Sequence, residues 1–193
     1  MNALLNLSQE EQSTGITQIE REVVYYARLM DASFLKTASS FEHQEQWQVR
    51  IPKTANNLSE GRMRVRKTTT ADGKIEYVQT LKLKIKEGEQ ETSVLVTEDI
   101  FEQFKQLSED GMVKTRYVFD IEGREEKWEV DVFKVPNGNA ARWCKIDYEF
   151  ITDTPPPELP SVFEDAVCNQ TTDPAERELI AKLYSELYIA KAV

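Results

Sequence analysis

The chain has 193 residues, 40% of them hydrophobic and 30% charged, which suits one soluble globular domain with a sizeable core. Its formal net charge of -10 excludes a general DNA or RNA binder, because non-specific affinity for phosphates comes from overall positive charge. No apolar run approaches the ~20 residues that cross a bilayer, and the opening MNALLNLSQEEQ lacks a basic segment followed by a long apolar one. A cytoplasmic protein with no membrane partner is expected.

Three stretches organise the chain: a polar lead over residues 1–15, an alternating body over 16–151, and a Pro-rich linker with C-terminal helices over 152–193, all in a single domain. Within the lead, Ser8 and Glu11 have the spacing of a capping box. ITQIEREVVYYARL, residues 16–29, fits a helix through Ile16, Ile19, Val23 and Ala27, and equally fits a strand through Ile19, Val23, Tyr25 and Ala27. Residues 30–40 make a short helix or loop. FEHQEQWQVRI then alternates, with Trp47, Val49 and Ile51 on one face and Glu42, Gln44, Gln46, Gln48 and Arg50 on the other, a strand with a wholly polar side. His43 is the sole histidine and has no second imidazole to share a metal; Cys144 and Cys168 lack metal-ligand spacing and read as small core residues.

From Gly61 to Lys86 two strands follow. Arg62, Arg64 and Arg66 alternate with Met63 and Val65, and Lys82, Lys84 and Lys86 alternate with Leu81, Leu83 and Ile85. Side chains two apart share a face, and Asp72-Gly73 is a turn signal that pairs the strands as a hairpin. Like charges about 7 Å apart cost on the order of 2 kcal/mol per pair at an effective dielectric of about 20. In water this is screened; enclosed, the stripe needs carboxylates or a polyanion.

After Thr92, Val94 and Val96, an amphipathic helix is predicted over 98–110 with Ile100, Phe104 and Leu107 on one stripe and Gly111 as its stop. Three more strands set Lys114 and Arg116, then Glu129 and Asp131, then Lys145, Asp147 and Glu149 opposite apolar residues. Prolines over 154–160 end the sheet pattern. A short helical piece over 161–168 and a longer helix capped by Asp173, with Pro174 in its first turn and Leu179, Ile180, Leu183, Leu187 and Ile189 as its stripe, complete the chain.

Counting 16–29 as a strand gives eight in local antiparallel order, enough to close a barrel. An ordinary sandwich would put the charges in water. Sorting of cations and acids by strand favours the reverse: an α+β fold with an eight-stranded antiparallel closed barrel, a charged lumen, and amphipathic helices covering the apolar outside. Cations and carboxylates facing one lumen suit phosphates, with Mg2+ or Mn2+ bridging the two.

These residues resemble the CYTH proteins, or triphosphate tunnel metalloenzymes. The family's Arg-x-Arg-x-Arg strand matches Arg62, Arg64 and Arg66, and its Thr-x-Lys strand matches Thr80 and Lys82, with Lys84 following. Its Lys-x-Arg strand matches Lys114 and Arg116, its Trp-Glu-x-Asp-x-Phe strand Trp128 to Phe133, and its last acidic strand Asp147 and Glu149. The opening Glu-x-Glu-x-Lys is met by Glu20 and Glu22 without the lysine, or by Glu42 with Gln44 and Gln46. The resemblance implies that Glu20, Glu22, Asp131, Asp147 and Glu149 hold the metal, with Glu149 and Asp131 catalytic. It implies that Arg62, Arg64, Arg66, Lys82, Lys84, Lys114 and Arg116 grip a triphosphate, and it places Glu129 and Lys86 at the rim. The expected activity is removal of the terminal phosphate from a nucleotide, an RNA 5' end, thiamine triphosphate or tripolyphosphate. A degenerate tunnel that binds a phosphorylated ligand, an RNA end or a protein partner without turnover is the alternative, and a homodimer is compatible with either.

Overall fold

Alternation at period two governs almost the whole body of the chain, and the computed structural model resolves it into one antiparallel sheet. The structure describes residues 16–19, 22–51, 61–85, 88–108, 110–134, 140–151, 154–187 and 189–190. The strands are β1 (Ile16–Ile19), β2 (Glu22–Leu29), β3 (Ser40–Ile51), β4 (Gly61–Thr70), β5 (Ile75–Ile85), β6 (Gly88–Leu95), β7 (Asp110–Asp120), β8 (Lys127–Lys134), β9 (Ala140–Glu149), β10 (Phe163–Cys168) and β11 (Ile189–Ala190). Helix α1 covers Glu98–Leu107 and α2 covers Pro174–Leu187, with a 3-10 helix at Ala32–Thr37. Their order across the sheet is β1-β6-β5-β4-β3-β7-β8-β9-β2-β10, and β11 pairs with β7.

The expected closed eight-stranded barrel is corrected: the sheet has eleven strands and its ladder is open, ending at β1 and β10. Residues 16–29 are extended, but as two strands rather than one. β1 pairs with β6, whereas β2 pairs with β9 and β10. Two residues separate Ile19 from Glu22, so the chain ties the β6 side of the sheet to the β9 side covalently where a barrel would use a ladder. One cavity is lined from β2, β3, β4, β5, β6, β7, β8 and β9 together, so the sheet curls around it.

The polar face is the concave one. Lys82, Lys114, Asp131 and Asp147 are buried, while the convex face carries Val23, Ala27, Trp128, Val130, Ile146 and Tyr148 as the main core. That core is covered by Phe34 and Leu35 of the 3-10 helix and by Leu159, Val162 and Phe163 around the Pro-rich segment. Phe34 stacks on Phe119 with ring centroids 4.6 Å apart. Helix α1 lies over the β3, β4 and β5 side, burying Phe101 against Tyr77, with Lys105 held between Glu45 and the Trp47 ring. Its predicted stripe is corrected by one position: Ile100 and Leu107 are exposed, and Phe101 carries the contact. Thr97 caps its start and Ser108 its end.

Gly111 does not stop α1; it lies within β7 beneath Trp47, where an added Cβ would stand 2.5 Å from the indole Cε3 and 2.8 Å from the Gln46 carbonyl oxygen. Gly111→Ala should therefore cost about 1–3 kcal/mol through overpacking, read as a lowered urea midpoint at unchanged slope.

Two readings of the C-terminal third are corrected. Residues 163–168 form strand β10 on β2 rather than a helical piece, with a register shift at Asp165, whose φ is +53°. Helix α2 begins where expected, Asp173 Oδ1 accepting from the Ala175 and Glu176 amides. It covers the concave face, not the outside: Leu183, Leu179, Ile180 and Tyr184 pack on Val24, Tyr26, Met112 and Phe133. Those strand residues give α2 an apolar seat on the lumen face.

Candidate functional site

The cavity, about 610 Å3, is walled at one side by the arginine row of β4. Register places Arg62 and Arg64 between two polar neighbours each, and Arg66 between Gln46 and Val78. Arg62 faces Lys82 on β5 and Arg50 on β3; Arg64 faces Thr80 and Gln48; Arg66 has Gln46 on its β3 side. Across β5, Lys82 stands opposite Glu91 of β6. Lys82 forms an ion pair with Glu91, and Arg64 shares that carboxylate at 3.7 Å. Burial, then Arg66, pushes Arg64 down to about 10, with Glu91 acting the other way. The Nε atoms of Arg64 and Arg66 are buried without a hydrogen-bond partner. No carboxylate pairs with Arg66 among the described residues. Leaving buried donors unmade is costly, so this wall carries positive charge that its own residues do not fully satisfy.

The opposite wall is neutral by internal pairing. Lys114 bonds Asp131; Arg116 reaches Asp131 Oδ1 at 2.8 Å through Nε and Oδ2 at 3.0 Å through one terminal nitrogen, and also bonds Glu129 and Asp147, the latter at 3.1 Å. Lys145 holds Asp147 at 2.6 Å. Burial alone would raise the Asp131 carboxyl, but Lys114 and Arg116 outweigh it and hold it well below the ordinary range. Burial lowers Lys114 to about 7 against the pull of Asp131, with Arg116 and Lys145 adding to the lowering, while Asp147 and Asp131 raise Lys145 above the usual lysine value despite its burial.

This changes the meaning of the predicted acids. Asp131 and Asp147 are engaged by the protein's own cations, Glu20 lies outside the described residues, and no group of three metal-ligating side chains forms among the described residues. Glu22 and Glu149 are the other two predicted acids among the described residues. They are direct cross-strand partners on β2 and β9, and both line the cavity. Like charges directly opposite on a sheet repel, and a hard cation between them removes the conflict. Two carboxylates fit Mg2+, which commonly takes one or two from protein and fills its remaining positions with water and substrate phosphates. A pre-formed cage is not what these residues offer.

Of the predicted phosphate ligands, Arg62, Arg64, Arg66, Lys82, Lys114 and Arg116 line the one cavity. Lys84 is exposed at the far end of β5 and is not among its lining, and Lys86 lies outside the described residues. Sequence reasoning gave no role to Lys145 or the α2 residues Ile180 and Tyr184, and met Gln46 only in the alternative match to the opening signature; all four line the cavity. The wholly polar face of β3 was the available signal for Gln46.

No family model matches the chain, and no curated protein matches it. Among solved structures, the inorganic triphosphatase NE1496 is 19% identical, covering 78% of this chain and 87% of its own, with a TM-score of 0.43. The PH1819 protein from Pyrococcus horikoshii OT3 is 17% identical, covering 89% and 95%, at 0.48. HpAC1 from Hippeastrum, named for adenylyl cyclase and described as revealing a dominant triphosphatase activity, is 14% identical, covering 90% and 92%, at 0.40. With identities below 20% and TM-scores below 0.5, none of their activities is carried over to this chain.

Proposed function

We propose that the lumen binds a triphosphate-bearing anion against Arg62, Arg64, Arg66 and Lys82 and releases its terminal phosphate as orthophosphate. The observation that carries this reading is a pair of half-buried arginines, Arg64 and Arg66, whose Nε atoms are buried and unpartnered, a charge excess that an oxyanion chain neutralises by bidentate contact. Water is the nucleophile: its oxygen bonds to the terminal phosphorus as the bond to the bridging oxygen breaks, and the leaving diphosphate takes up the negative charge. Glu22 and Glu149 would hold a Mg2+ or Mn2+ ion, which would supply charge neutralisation at the transferred group. Arg64 and Arg66 hold the chain in line and place positive charge where the transition state spreads negative charge. Glu149, the exposed member of the acidic pair, orients the attacking water.

A second reading has its own support. Because Arg116 and Lys145 occupy the oxygens of Asp131 and Asp147, the lumen also suits a binder of a phosphorylated small molecule or RNA 5' end that never turns it over. Phosphate release from tripolyphosphate and ATP with Mg2+ or Mn2+ separates the two. Turnover that falls by at least about a hundredfold in Glu149→Ala and Arg64→Ala supports hydrolysis. Binding without release supports the second reading, and failure to bind or cleave either compound removes both.

A further inference from the structure

Resting on the proposed triphosphate site, we infer that its ligand is an organic triphosphate ester, with a flat or apolar body and a hydrogen-bond donor where that body joins the phosphate chain, rather than inorganic tripolyphosphate. Gln46 marks the junction. On β3 it sits between Arg66 of β4 on one side and Met112 of β7 on the other, so it divides the cationic wall from the apolar one. It is 6% exposed, it lines the cavity, and its Oε1 is buried without a partner. Ionised phosphate oxygens are acceptors and leave that acceptor unmet; a hydroxyl or amino group of an organic ligand meets it.

Beyond Gln46 the lumen changes character. Met112, Tyr26 and Phe133 of the sheet, with Ile180 and Tyr184 of α2, continue the same cavity wall. A polyanion gains nothing from an apolar wall and loses hydration beside it. An aromatic or aliphatic body gains from burial there. The volume agrees: about 610 Å3 lies within the roughly 300–1,000 Å3 of sites that enclose a whole organic ligand.

The test uses the full chain in metal-free buffer, where turnover is suppressed, with dissociation constants for ATP, thiamine triphosphate and tripolyphosphate. At least one organic triphosphate should bind about tenfold or more tightly than tripolyphosphate, the scale of one buried hydrogen bond plus partial burial of a ring. In Gln46→Leu, and independently in Tyr184→Ala, that ratio should fall to about threefold or less. Arg66→Ala should weaken all three ligands and leave the ratio standing. Tripolyphosphate binding as tightly as both organic ligands, or a ratio unmoved by the Gln46 and Tyr184 substitutions, overturns the inference while the triphosphate site stands. Absence of binding by all three overturns both.

Discussion

Asp131→Ala should lower folding stability by about 3–5 kcal/mol, the usual result of removing one member of a buried charge network. Asp131 is completely buried and answers two cations, Lys114 and Arg116, so its loss leaves both facing a lumen already rich in positive charge. Urea unfolding reads the loss directly, and a cost below about 1 kcal/mol would mean that the network is worth no more than a surface pair. The pH dependence follows from the direction of the shift. The Asp131 carboxyl is held below its unfolded value of about 3.9. Its contribution is therefore present in full above that value and is lost as pH falls from about 4 toward the folded pKa. In Asp131→Ala that part of the acid slope should disappear. Tripolyphosphate, by taking over the two cations, should recover a share of the lost melting temperature.

Arg66→Met should do the opposite to the unliganded fold, raising its melting temperature while weakening tripolyphosphate by about ten- to a hundredfold. Arg66 adds to the electrostatic burden on Arg64, its Nε is buried without a partner, and no carboxylate pairs with it among the described residues. A methionine keeps much of the stem volume and removes the charge. A charge-assisted hydrogen bond contributes about 1.5–3 kcal/mol to binding, which sets the affinity loss. Calorimetric titration and thermal melts on the same preparation check both halves. Destabilisation together with unchanged affinity would show Arg66 to be part of the scaffold rather than of the anion site.

The arginine row was legible because strand periodicity depends on local sequence alone: residues 62, 64 and 66 must share a face wherever the strand goes. The inward turn of that face was legible from the sorting of cations and acids by strand. What the chain did not disclose is what depends on partners distant in sequence. Arg116 lies opposite Asp131, and Asp131 in turn opposite Lys145, so acids predicted as metal ligands meet lysine and arginine instead. An amphipathic stripe on α2 shows that one side is buried but not against what, and its seat is assembled from residues on three strands, β2, β7 and β8. Residues 163–168 carry too little alternation, with exposed Glu164, Asp165 and Ala166 between buried Phe163 and Val167, to declare a strand before β2 is there to pair with.

The split between β1 and β2 bears on how the molecule is made. Glu22 pairs with Glu149, and Leu29 with Phe163, so β2 must wait for partners more than a hundred residues further along the chain before either of its edges is satisfied. Hairpins β3-β4 and β4-β5 have their partners close at hand and can form while synthesis continues. Such long-separation pairing is slow, and in the interval β2 presents an uncovered Val-Val-Tyr-Tyr run. Folding yield should accordingly respond more to the early shielding of this run during translation than to anything in the hairpins.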